Sequence, residues 1–130
     1  MAHIMVVDDE RDIVTLLKFL LEKDAHRVSV AYNGAEALDK LGVEPVRPSA
    51  EIPDLIVLDV MMPLIDGYTV SSRLSQNARM KKTPVIILTG KGEMRDLFGF
   101  ATNVATYVEK PFEPKGLRDI IAGVLAKKKK

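Results

Sequence analysis

The chain has 130 residues, the length of one domain and enough to bury a conventional core without disulfide or metal staples. Apolar residues at 47% and charged residues at 28% describe an ordinary globule, and no apolar run approaches the ~18 residues of a membrane span; the lack of cysteine excludes disulfides and thiol catalysis. Net charge is +1, and subtracting the four lysines Lys127 to Lys130 leaves −3, less basic than expected of a chain that binds nucleic acid directly.

The opening Met1-Ala2-His3-Ile4 runs straight into a strand pattern with no basic and apolar leader ahead of it, so the expected location is the cytoplasm. Five short apolar runs read as strands, at residues 3 to 7, 27 to 31, 54 to 58, 84 to 88 and 105 to 108, with helical patterns between them. That alternation is the signature of βαβ units, which predicts an α/β fold: a doubly wound five-stranded parallel sheet with helices on both faces. After the first strand, Ile13, Leu16, Leu17, Leu20 and Leu21 form one apolar helical stripe. Asn33 with Glu36 three residues on resembles a capping box for the second helix, and Asp66 is placed to cap the third. The connection from Gly42 to Pro53 carries Pro45, Pro48 and Pro53 without periodicity, about double the usual length, and reads as a surface insertion. A helix is expected from Gly92 to Thr102 on an apolar face of Met94, Leu97, Phe98 and Ala101, with Asn103 suited to stop it. Pro114 suits the first turn of a last helix, whose stripe is Leu117, Ile120, Ile121, Val124 and Leu125. One domain over 1 to 126 and a solvated lysine tail over 127 to 130 account for the chain.

Three carboxylates, a hydroxyl and an amine fall at strand ends: Asp8 and Asp9 after the first strand, Asp59 after the third, Thr89 after the fourth and Lys110 after the fifth. Ligands of open parallel sheets sit at the carboxyl ends of strands, so adjacent first, third, fourth and fifth strands would bring all five groups together. Alone, Asp8-Asp9 is as well explained as a helix start, Lys110-Pro111 as a loop and Thr89 as a strand end; joint occurrence after the right strands favours a site. Crowded carboxylates call for a cation, and an oxygen-only ligand set favours a hard ion such as Mg²⁺. Asp59 is then the candidate nucleophile for a phosphoryl group, with Lys110 and Thr89 on the transferred oxygens and Gly90 allowing close backbone approach.

The motifs Val6-Val7-Asp8-Asp9-Glu10, Leu58-Asp59-Val60-Met61-Met62-Pro63 with Asp66-Gly67, Pro84-Val85-Ile86-Ile87-Leu88-Thr89 and Tyr107-Val108-Glu109-Lys110-Pro111-Phe112 resemble those of bacterial two-component response-regulator receiver domains of the stand-alone chemotaxis-protein type, from about residue 3 to 125. The resemblance implies a flavodoxin-like strand order 2-1-3-4-5. It implies that Asp59 is the phosphoacceptor of a sensor histidine kinase or phosphotransfer protein. It further implies Mg²⁺ on Asp9, Asp59 and the backbone carbonyl of Met61, with Asp8 reaching the ion through water. Lys110 and Thr89 would bind phosphoryl oxygens, the Lys110-Pro111 bond would be cis, and Thr89 with Tyr107 would form the switch. Met61 and Lys91 would tune the lifetime of the phosphoryl group. The face made by the 92 to 102 helix, the fifth strand and the last helix would be the output face, anchored by Phe100, toward a separate downstream protein or a second copy. The chain departs from the pattern at Asn103-Val104, in a Thr89-to-Lys110 span about one residue short, and in the long 42 to 53 connection. Two other classes are weighed against this switch: a phosphorylation-independent interaction module, and an aspartate-nucleophile phosphohydrolase, whose second aspartate would stand where the chain has Met61. Turnover of a separate substrate is not expected. His3 and His26 lie outside the constellation, as surface or strand-end residues.

Overall fold

The computed structural model describes residues 2–63, 65–90 and 103–128. Within them the chain runs β1 (His3–Val7), α1 (Arg11–Lys23), β2 (Arg27–Ala31), α2 (Gly34–Lys40), β3 (Leu55–Asp59), α3 (Gly67–Ser75), β4 (Val85–Thr89), β5 (Val104–Glu109) and α4 (Pro114–Lys128). The strands form one parallel sheet in the order β2-β1-β3-β4-β5. The central three are buried along their whole length because each face of the sheet carries a helical layer.

Register turns that burial into two separate cores. Met5 aligns with Ile56 and Ile56 with Val85, all facing the core closed by Leu38 of α2 and by Val70 and Leu74 of α3. One residue on, Val6, Val57 and Ile86 face the other way, toward Val14, Leu17 and Leu21 of α1 and Leu117, Ile121 and Leu125 of α4. A slip of one residue in any central strand would exchange these sets.

The helix ends follow their sequence signals. Asn33 accepts from the Glu36 N–H at 2.7 Å while Glu36 reaches back to the Tyr32 N–H at 2.5 Å, and Asp66 accepts from the Thr69 N–H at 2.8 Å. After α1, Ala25 takes φ +67°, and the Ala25 and His26 N–H groups close onto the Glu22 and Leu21 carbonyls, a glycine-type helix stop made by alanine.

Three expectations need correction. The buried face of α1 is Val14, Leu17 and Leu21, whereas Leu16 is 40% exposed; the helix is apolar on most sides, and the sheet selects the face rotated by one residue. In α4, Leu117, Ile121 and Leu125 are buried and Ile120 lies at the rim. The helix also continues through Lys128, since lysine is a good helix former and suits the negative end of the helix dipole. The 42 to 53 connection runs over the surface as expected, with residues 44 to 49 exposed, and is also tethered: Val43 is buried, Arg79 bonds the Leu41 and Ala50 carbonyls, and Arg47 and Arg73 pair with Asp39 and Glu44. The expected helix from Gly92 to Thr102, with Met94, Leu97, Phe98, Phe100 and Ala101, and Lys91 before it lie outside the described residues.

Candidate functional site

The site lies along the carboxyl ends of β1, β3, β4 and β5. Asp8 directly follows β1, and its N–H donates to the Ala31 carbonyl at 3.1 Å, so the ladder holds it inside the fold. One carboxylate oxygen, Oδ1, accepts from the Glu10 N–H at 2.9 Å and leads the chain out toward α1. Asp59 and Thr89 are the last residues of their strands rather than the first residues beyond them, and both are buried. Lys110 follows β5, joined to Pro111 by a cis peptide, and its N–H donates to the Thr89 carbonyl at 2.6 Å.

The loop after Asp59 turns back sharply. Its Val60 N–H donates to Leu88 and its carbonyl accepts from Gly67, while the Met61 N–H approaches Asp59 Oδ1 at 3.4 Å. A Cβ at Gly67 would stand 2.5 Å from the Asp59 carbonyl oxygen and 2.8 Å from Val60 Cα, backbone atoms that cannot swing aside. Glycine is therefore required for α3 to begin this close to Asp59. The Met61 side chain is mostly exposed, at the mouth of the site.

Lys110 Nζ joins these groups: it lies 3.0 Å from Asp8 Oδ2, 3.1 Å from Glu10 Oε1 and 3.2 Å from Asp59 Oδ1. One ammonium faces three carboxylates, so the cluster carries excess negative charge. Burial, reinforced by the charge of Asp8 and only partly opposed by Lys110, pushes the Asp59 carboxyl up to about 7. Burial works against the Lys110 ammonium, but the bond to Asp8 and the charges of Asp59 and Asp8 outweigh it and hold its pKa above the ordinary lysine value. Thr89 Oγ1 is buried and has no hydrogen-bond partner among the described residues, which leaves the hydroxyl able to meet an acceptor inside the site.

The carboxylates fit a hard divalent cation. Asp8, Glu10 and Asp59 each offer an oxygen within 4.8 Å of the others, and oxygen-only donors suit Mg²⁺. Asp9, the direct ligand implied by resemblance, is exposed beside this group, and Glu10 is the third carboxylate that meets Asp8 and Asp59. The Glu10 N–H bond to Asp8 and the pull of Lys110 bring Glu10 over the site, while the intervening residue faces water. The one sequence signal for Glu10 was its place in the Asp8-Asp9-Glu10 run. Tyr107, on β5, is partly buried against the core shared with α2 and α3. His3 is a strand-end residue at the opposite edge of the sheet, but buried rather than superficial.

The chain's residues 4–122 match the model of the response regulator receiver domain family. The chain belongs to this family. As a receiver domain it is 41% identical over 123 residues to the alkaline phosphatase synthesis transcriptional regulatory protein PhoP of Bacillus subtilis, a match covering 94% of this chain and 48% of the relative. It is 37% identical over 126 residues to the transcriptional regulatory protein CpxR of Escherichia coli, covering 96% and 50%. The receiver domain thus spans about half the length of these curated relatives. A crystal structure of a putative response regulator from Chloroflexus aurantiacus superposes with a TM-score of 0.82 at 31% identity, covering 96% of this chain and 98% of that one. A CheY-like receiver domain protein from Methanospirillum hungatei superposes at 0.85 with 22% identity, covering 99% and 97%, a likeness of fold. Among the described residues, no helix is long and apolar enough to cross a membrane.

Proposed function

We propose that this receiver domain is a phosphoacceptor switch in the cytoplasm, charged on Asp59 by a sensor histidine kinase or a phosphotransfer protein. In the step itself an Asp59 carboxylate oxygen forms a bond to phosphorus as the bond from phosphorus to the donor's imidazole nitrogen breaks, and the imidazole leaves as the neutral ring after taking up a proton. The observation that carries the reading is the ammonium of Lys110 held against Asp8, Glu10 and Asp59, together with the buried hydroxyl of Thr89, which has no partner among the described residues. Lys110 turns to the phosphoryl oxygens, and Thr89 donates its hydroxyl to one of them.

Asp8, Asp59 and Glu10, with the Met61 carbonyl and Asp9 at the mouth, are the groups that would hold Mg²⁺. Bound there, the ion offsets the charge of the carboxylates and of the phosphoryl oxygens. The domain is charged and discharged as a signal rather than turning over a separate substrate. Movement of Thr89 toward the phosphoryl group draws Tyr107 inward and alters the face that includes β5 and α4, through which a downstream protein or a second copy reads the state. The phosphoryl group contributes about two negative charges at this edge.

The test is labelling with a small phosphodonor and Mg²⁺, followed by mass spectrometry. One phosphoryl group per chain is expected, on Asp59, and none on Asp59→Asn. Undiminished labelling of that variant refutes the assignment.

A further inference from the structure

A hydroxyl, an imidazole and a carboxylate line up where β1 and β2 begin, at the opposite end of the sheet from Asp59. His3 is buried, and its N–H donates to Asp54 Oδ2 at 2.9 Å, which fixes the start of β1. The ring then spans two partners: Nε2 stands 2.5 Å from Ser29 Oγ, and Nδ1 stands 3.2 Å from Glu51 Oε2. An acid on the Nδ1 side favours the tautomer with its proton there and leaves the Nε2 lone pair facing the hydroxyl. Burial lowers the His3 pKa, so at neutral pH the ring is an uncharged base. A serine oxygen is activated by this order of groups: nucleophile, base, and a third group that orients the base.

The surroundings of Ser29 leave room for a reagent. Ser29 is only partly buried, and β2 is an outer strand of the sheet. The Val30 carbonyl accepts from Lys40 Nζ at 2.5 Å rather than from a strand, so the polar backbone groups of Val30 face the open side. The Val30 N–H, next in the chain to the nucleophile, is thus a donor for the charge that gathers on an acyl oxygen.

We propose that Ser29 is an acyl-accepting nucleophile, with His3 as its base and Glu51 as the positioning residue that orients the ring, and that its substrates are small activated esters. Ser29 Oγ forms a bond to the acyl carbon as the bond from that carbon to the leaving oxygen breaks. The leaving oxygen keeps the electron pair, and the serine proton passes to His3 Nε2 and on to water. The product is an acyl ester on Ser29, and Asp59 takes no part in it.

The experiment treats the 130-residue chain, in metal-free buffer, with p-nitrophenyl acetate. Release of p-nitrophenolate gives the rate, and peptide mass spectrometry before and after neutral hydroxylamine separates a serine ester, which is cleaved, from lysine amides, which are not. One acetyl ester per chain is expected, on Ser29, at the same rate in Asp59→Asn. Ser29→Ala, a change at a half-exposed edge position, should lose it. His3→Gln should slow it about a hundredfold, the scale of a positioned general base. Glu51→Gln should lower the pH at which the rate reaches half its plateau, because Glu51 raises the His3 pKa against burial and Arg27, and Asp54 alone would then do so. Acetyl on lysines alone, parent-like rates in Ser29→Ala or His3→Gln, or an unmoved pH profile in Glu51→Gln would overturn the proposal.

Discussion

The two ends of β1 and β3 carry comparable numbers of ionisable groups and treat them in opposite ways. At the carboxyl end, buried Asp8 and Asp59 share one ammonium with Glu10, and Asp59 is pushed up to about 7, first by burial and then by its neighbour's charge. At the amino end, Glu51 meets Arg27 in a two-pronged pair open to water, and the bond to Arg27 holds its carboxyl below the ordinary range. Asp54 accepts from the His3 N–H at 2.9 Å, and the His3 ring lies between Ser29 and Glu51. Balanced, solvated charge closes off a sheet edge at little cost. Buried, unbalanced charge is costly, and it stands at the edge for which phosphoryl chemistry is proposed.

The sharpest way to break this comparison is to titrate the two ends separately. In metal-free buffer the native Asp59 carboxyl keeps its proton up to about pH 7, whereas the unfolded chain loses it near 4. Between those values the folded state binds more protons, so its contribution to stability is complete below pH 4 and is lost as pH rises through 7. Asp59→Asn should remove that dependence and stabilise the protein at pH 8 by on the order of 2–4 kcal/mol, read from urea midpoints across pH. A parallel pH curve for parent and variant would show that Asp59 is not strained in this way.

Gly67→Ala probes the close approach beneath the same carboxylate. The new methyl meets backbone on two sides, so a loss of roughly 1–3 kcal/mol in chemical unfolding is expected, together with slower labelling of Asp59 as its loop shifts. Parent-like stability and labelling would mean that the loop adjusts freely.

At the amino end the effect should be smaller and of opposite sign in pH. Burial lowers the His3 pKa, with Glu51 and Asp54 opposing and Arg27 adding to the fall. The native ring thus resists protonation: its contribution is intact above the unfolded value near 6.5 and lost as pH falls through the folded value. His3→Gln should flatten the loss of stability between pH 7 and 5, and a curve as steep as the parent's would assign that loss elsewhere. Smallest of all is Arg27→Ala, which removes an exposed ion pair and should leave the unfolding midpoint nearly unchanged at moderate salt. A large drop there would mean that the two edges are not so different after all.

Much of the fold and of the candidate site was legible along the chain. Strand positions, the caps at Asn33 and Asp66, and the emergence of Asp59 at a buried strand's end follow from local rules: side-chain period, capping chemistry, and the demand that a strand buried on both faces be apolar. Gly67 was visible as a motif residue, but its reason, a backbone oxygen 2.5 Å from any Cβ placed there, belongs to the folded loop. Tertiary packing decided the rest. Ile13, Val14, Leu16, Leu17, Phe19, Leu20 and Leu21 leave α1 apolar on most sides, so only contact with the sheet could choose Val14, Leu17 and Leu21. Glu10 meets Asp8 and Asp59 through Lys110, a hundred residues away along the chain. The pinning of the 42 to 53 connection by Arg79 likewise depends on partners that meet only in three dimensions. Short-range periodicity is written residue by residue, whereas the choice among several apolar faces or several acids is an energy difference between whole packings.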